Sequence, residues 1–161
     1  VIVVRPLADG EAPAAGRVVR AGYLALPGYP SDPEYDEMIA DVEARRDHTT
    51  VVVAEVDGEI VGCLTYIADH DHPDAEHGDP DAATFRFFAV DPLVQGRGVG
   101  QAMIDWVIGR ARADGLARLR IHTLTMMHGA HRLYERNGFV RDPERDTDWD
   151  GIIGLAYRCE L

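Results

Sequence analysis

Apolar positions along this chain recur with two periods, and the points where the period changes divide it into elements. Residues 1–4 are a β-branched run halted by Arg5-Pro6, which predicts a first strand. Ala15, Val18, Val19, Gly22 and Leu26 then follow helical spacing and predict a helix over roughly 11–26. A turn-rich break at 27–33 ends with Asp32 placed to cap a second helix and Pro33 at its first position. Tyr35, Met38, Ile39 and Val42 share one face of that helix. Residues 49–56 and 59–67 flank Asp57-Gly58, the strongest hairpin signal in the chain.

After a polar stretch at 68–82, residues 84–90 are nearly all apolar, as a strand covered on both faces requires. Pro92 should end it. A stripe of Val99, Ala102, Met103, Trp106 and Val107 predicts a third helix ending near Asp114-Gly115. Residues 118–125 alternate around Leu119, Ile121 and Thr123 as a strand. A short helix over 128–137 is closed by Gly138. Phe139-Val140 begins a strand, 142–151 reads as a charged loop, and 153–161 supplies the last strand. The order β-α-α-β-β-β-α-β-α-β-β predicts an α/β fold with one mixed sheet, helices on both faces, and a single domain over 1–161.

Charge narrows the ligand class. The net charge is −12, which argues against nucleic acid. Residues 95–136 nevertheless hold Arg97, Arg110, Arg112, Arg118, Arg120, Arg132 and Arg136 against three acids, a local +4 that suits an anion. Every basic side chain is Arg. No apolar run reaches the ~20 residues of a membrane helix, so no membrane partner is expected. Cys63 and Cys159 lie in strand-like stretches and read as reduced core thiols, which fits the cytoplasm.

The richest chemistry lies at the joint between the apolar strand and the third helix. Gln95-Gly96-Arg97-Gly98-Val99-Gly100-Gln101 places glycines at alternate positions just before a helix start. Such a turn brings bare N–H groups and the positive end of the helix dipole to a phosphate. A Walker A loop would need Lys-Ser/Thr where Gln101-Ala102 stand, and the glycine spacing differs from a dinucleotide fingerprint. What the stretch resembles is the Gln/Arg-x-x-Gly-x-Gly/Ala pyrophosphate loop of the GNAT superfamily of N-acetyltransferases. About thirty residues on, Ala130-His131-Arg132-Leu133-Tyr134-Glu135-Arg136-Asn137-Gly138-Phe139 is similar to that superfamily's Ala-x-x-Leu-Tyr-x-x-x-Gly-Phe segment.

The resemblance implies acetyl-CoA as donor and direct transfer, in a ternary complex, to a primary amine. It implies that the backbone of Phe88, Ala89 and Val90 faces the pantetheine arm and thioester, where the strand splays from its neighbour. Amides of Gln95, Gly96, Arg97, Gly98, Val99, Gly100 and Gln101 would wrap the pyrophosphate. Tyr134 matches the usual general acid for the departing thiolate. Two positions depart from the pattern: Thr84 stands where a Glu base is frequent, and Met127 where Asn is frequent. Asp79, Asp81, Glu76, His70, His72 and His77 are then the substitutes within reach of the strand start.

Those same histidines belong to the 68–82 loop, which holds six acids and three His. A solvated loop, a substrate-side lid and metal ligation compete there, and no metal is expected. Tyr23, Tyr29, Tyr35, Asp146, Asp148, Trp149 and Asp150 suit a small cationic acceptor. A protein N-terminus or side chain as acceptor, and a non-catalytic acyl-CoA sensor, are the alternatives. Similar proteins often form homodimers.

Overall fold

The computed structural model describes residues 1–161, which fall into two compact units: 1–66 with 87–106, and 67–86 with 107–161. The first unit opens with β1 (Ile2–Pro6), α1 (Ala12–Leu24) and α2 (Pro33–Ala40). It continues through β2 (Thr50–Val56) and β3 (Glu59–Ile67). β1, β2 and β3 form an antiparallel meander in which Val4 faces Ala54 and Val53 faces Cys63. The hairpin turn forms at Asp57 and Gly58, both with positive φ (51° and 82°), the pairing that suits strand twist. Asp32 caps α2 by accepting the Glu34 N–H, with Pro33 first in the helix.

Val19, Ile39, Val52, Val53, Leu64, Val99 and Met103 make the core of this unit. Burial pushes the Cys63 thiol up to about 12, so it is an inert filler. Arg5 joins β1 to both Glu11 (2.7 Å) and Glu55 (2.8 Å).

Apart from Ile67, the last residue of β3, which falls in the second unit, two elements are divided between the units. β4 (Ala82–Val90) begins in the second and ends in the first, and α3 (Val99–Ala113) runs the other way. The second unit also holds β5 (Arg118–Leu124), α4 (His128–Arg136), β6 (Val140–Arg141), β7 (Thr147–Trp149) and β8 (Ile152–Glu160). β4 pairs parallel with β5 through Ala82↔Arg118 and Ala83↔Leu119, its first two residues. β5 and β8 pair antiparallel from Arg118↔Glu160 to Leu124↔Gly154, and β6 and β7 both pair with β8. With β4 shared, eight strands and four α-helices make the mixed α/β sheet that the sequence predicts. Leu119, Ile121, Phe85, Tyr134, Phe139 and Tyr157 form the second core.

Two expectations change. Residues 142–151 are not all loop, because Thr147 and Trp149 form β7 and turn back through Asp150 and Gly151, both with positive φ. Asp148 stabilises that turn by accepting the Gly151 N–H. Segment 68–82 is also pinned where free solvation was one reading: Arg145 donates to the His77 carbonyl (2.8 Å), and Ala75 is buried.

Candidate active site

β4 carries a feature that apolar patterning could not announce. Phe87, in the middle of the strand, has φ of 54°. For a bulky side chain this is a true outlier, costing about 1–3 kcal/mol and persisting only where the surroundings fix it. It rotates the peptide groups around it, as at a strand bulge, immediately before Phe88, Ala89 and Val90. α1 lies close against this stretch: a Cβ on Gly22 would stand 2.7 Å from the Ala89 Cβ.

The strand leads directly into the glycine turn. The Asp91 N–H donates to the Val61 carbonyl (2.7 Å), and its carboxylate accepts the Leu93 N–H (2.9 Å). A single 3₁₀ turn over Pro92–Val94 follows. The Gln95 amide reaches back to the Val90 carbonyl (3.3 Å). Gly96 and Gly98 then take φ of 82° and 87°, and α3 starts at Val99. Val99 is buried and anchors the helix, whereas Gln95, Gly96, Arg97 and Gly98 are exposed. Gly96 has no heavy atom within 4 Å of where a Cβ would stand, so the turn is open on that side. The first turn of α3 has no acidic residue and directs its N–H groups outward along the axis. Gln95 to Gln101 thus form an exposed glycine turn that runs into an acid-free helix start within the first unit.

Tyr134 belongs to the second unit. It is buried on α4, with ring centroids of Phe139 at 5.4 Å, Phe85 at 5.8 Å and Tyr157 at 6.1 Å. Phe85 stands on β4, three residues before Phe88. Thr84 is buried, and Met127 precedes α4, its sulfur accepting from the Thr123 hydroxyl (3.5 Å).

The base candidates separate. Asp79 is buried and accepts from Arg120 Nε (2.6 Å) and Arg118 Nη1 (2.8 Å). Although burial opposes its ionisation, those bonds and the Asp81 N–H hold its carboxyl well below the usual range. It is a structural anion, unsuited to take a proton near neutral pH. Asp74 and Glu76 lie 3.6 and 3.5 Å from Arg86. His72 and His77 each accept a backbone N–H at Nδ1, from Asp74 (3.0 Å) and Asp79 (2.9 Å). Their neutral tautomer therefore carries its proton on Nε2. Burial, with Arg120 and Arg145 nearby, lowers the His77 pKa. The three loop histidines do not form one ligand set; the close trio is Asp69, His70 and Asp71.

The aromatic and acidic residues proposed for an acceptor are also sorted. Tyr29 donates to Asp36 (2.7 Å), Ser31 bonds the other oxygen, and Tyr23 meets Tyr29 edge-on. These bonds hold the Asp36 carboxyl below its usual range. Asp146 is engaged by Arg141 and the Ala156 N–H, which bring it to about 2. Trp149 packs edge-on to His122. Tyr35 on α2 remains exposed. Sequence reasoning missed Asp36, which nothing in the pattern of that helix distinguishes from its exposed neighbours Glu34 and Glu37.

Residues 20–139 match the Acetyltransferase (GNAT) family. Mycothiol acetyltransferase of Beutenbergia cavernae is 40% identical over 63 residues, 38% of this chain and 21% of that protein. The Streptosporangium roseum mycothiol acetyltransferase is 34% identical over 87 residues, 54% of this chain and 23% of that protein. The chain thus spans less than a quarter of either relative. Among solved structures, the PaiA N-acetyltransferase of Thermoplasma acidophilum in complex with coenzyme A superposes with a TM-score of 0.76. It is 13% identical, over 100% of this chain and 99% of that one. A GNAT acetyltransferase of Elizabethkingia anophelis with acetyl-CoA bound gives 0.69 at 19% identity, over 99% and 98%. The likeness of fold to these structures and the match over 20–139 lead to one assignment: the chain belongs to the GNAT family of acetyltransferases.

Proposed function

We propose that this chain transfers the acetyl group of acetyl-CoA to a primary amine on a small cationic molecule, directly, in a ternary complex. The observation that carries the reading is the cradle: two left-handed glycines feeding an acid-free helix start, directly after a kinked strand. In this reading the N–H groups of 95–101 take the pyrophosphate and Arg97 adds charge, while the backbone of Phe88, Ala89 and Val90 takes the pantetheine arm and thioester. An N–H at Ala89 or Val90 would meet the oxyanion as the amine attacks, a contact worth typically 10²–10³ in rate.

The C–N bond forms as the C–S bond breaks, the amine loses a proton, and CoA leaves as a thiolate. Tyr134 is the proposed donor to that thiolate. A phenol near 10 and a thiol near 8.5 make full transfer uphill by about 2 kcal/mol, so its hydrogen bond does much of the stabilising. An acceptor α-amine needs only about 1 kcal/mol to be neutral at pH 7, against roughly 4–5 kcal/mol for a lysine-type amine. With Thr84 in place of a carboxylate and Asp79 held ionised by two arginines, the low-pKa amine suits this chain better.

The test is CoA release from acetyl-CoA across an amine panel that includes the acceptors of mycothiol acetyltransferases. Tyr134→Phe is expected to lower kcat by roughly 10²-fold with unchanged acetyl-CoA affinity. Thr84 and Met127 favour one second reading, an acyl-CoA-binding module without catalysis. Tight acetyl-CoA binding with no turnover on any amine would establish it.

A further inference from the structure

Arg45 lies in a short 3₁₀ turn, Glu43–Arg45, between α2 and β2. The local sequence Glu43-Ala44-Arg45-Arg46 reads as surface charge, yet Arg45 is buried at 7% exposure whereas Arg46 faces outward to Asp9. Its guanidinium is bonded around its rim. Nη2 donates to the Ile39 carbonyl (2.7 Å), Nη1 to those of Met38 (3.2 Å) and Asp41 (3.3 Å), and Nε to the Thr65 hydroxyl (3.1 Å). Three carbonyls at the end of α2 and one hydroxyl on β3 thus fix its plane. The guanidinium carbon stands over the ring of Phe87, 4.4 Å from the ring centroid.

Phe87 is the strained residue of β4. A strained conformation lasts only where its neighbours over-determine it, and a buried guanidinium held over the ring is a neighbour of that kind. Lysine could supply the charge but not the planar fork that makes the four bonds while its centre sits over the ring.

We propose that Arg45 is a positioning residue: it clamps the Phe87 ring and so holds the left-handed kink that sets the peptide planes of Phe88, Ala89 and Val90. This rests on the acetyl-transfer reading, in which those peptides face the thioester. In this role Arg45 acts through Phe87 and not by contact with substrate or cofactor. It links the end of α2 to the backbone that polarises the acetyl carbonyl, so a change at the α2 end is transmitted to the reacting group through one buried cation.

The experiment uses acetyl-CoA labelled with ¹³C at the thioester carbonyl, bound to the full chain. Infrared difference spectra give the carbonyl frequency, and calorimetry with CoA gives affinity. The wild type is expected to bind CoA and to shift the carbonyl band below its frequency in water. Arg45→Lys is expected to bind CoA equally well and to lose most of that shift. Phe87→Leu, which keeps an apolar side chain but removes the ring face, is expected to do the same and decides the matter if the lysine variant does not fold. A band in the variants identical to the wild type overturns the clamp while leaving acetyl transfer standing. An equal loss of CoA affinity in both variants also overturns it, by making Arg45 a support of the fold alone. A wild type that binds no CoA overturns the acetyl-transfer reading, and the clamp's role with it.

Discussion

Gly98 takes φ of 87° where the turn enters α3, and the nearest heavy atom to a built Cβ is Ile2 Cδ1 at 3.9 Å. The protein itself leaves room there; the backbone angle does not, and under the proposed function neither would the pyrophosphate. Gly98→Val is expected to weaken acetyl-CoA binding by roughly tenfold or more, since left-handed strain alone is about 1–2 kcal/mol for a branched residue. Calorimetry checks it, and unchanged affinity would remove the cradle from the phosphate site. The turn at this glycine is legible in the sequence because backbone chemistry is written in composition: only a few residue types permit such a turn. Arg45, Asp79 and Asp36 were illegible for the converse reason. Whether a charged side chain is buried depends on what folds over it, and neither Ala44-Arg45-Arg46 nor the acids of 68–82 carry a local mark of that.

Elements with strong local signals were readable nearly to the residue. The hairpin at Asp57-Gly58, the capped α2 and the apolar strand all form where turn chemistry and periodicity agree. β7 escaped because three residues are too few to show a period, and Arg145, Asp146 and Asp148 mask its neighbours as a charged loop. Gly22, read only as part of a helical stripe, turns out to set how near α1 approaches β4. Gly22→Ala would favour the helix by about 1 kcal/mol by propensity, yet its methyl meets Ala89 at 2.7 Å. The expected outcome is lower thermal stability together with weaker acetyl-CoA binding. Higher stability with unchanged affinity would show that α1 has slack to move.

Across the whole molecule, the excess of acids makes pH the natural probe. Burial lowers the pKa of His77 and His131, so each binds its proton less readily folded than unfolded. Their contribution to stability is present above the unfolded value near 6.5 and is lost as pH falls below it. His77→Asn retains an acceptor for the Asp79 N–H without a titrating ring. Relative to that variant, the wild type is expected to lose stability as pH falls below the unfolded value near 6.5, read from urea midpoints; a constant difference would refute the burial argument. Asp146, at about 2 when folded, behaves likewise at lower pH. Its contribution is present above about 4 and fades as pH approaches 2, so Asp146→Asn should destabilise near neutrality and matter little in strong acid.

The kink at Phe87 also bears on how this sequence can vary. Its backbone angle asks for glycine or asparagine, while its ring fills a buried space and faces a guanidinium. No residue other than an aromatic meets the second demand, and none of the aromatics meets the first. In a saturation library selected for function, position 87 should accept aromatics and little else. Glycine should fail there despite suiting the backbone, and any drift at 45 should come only together with a change at 87.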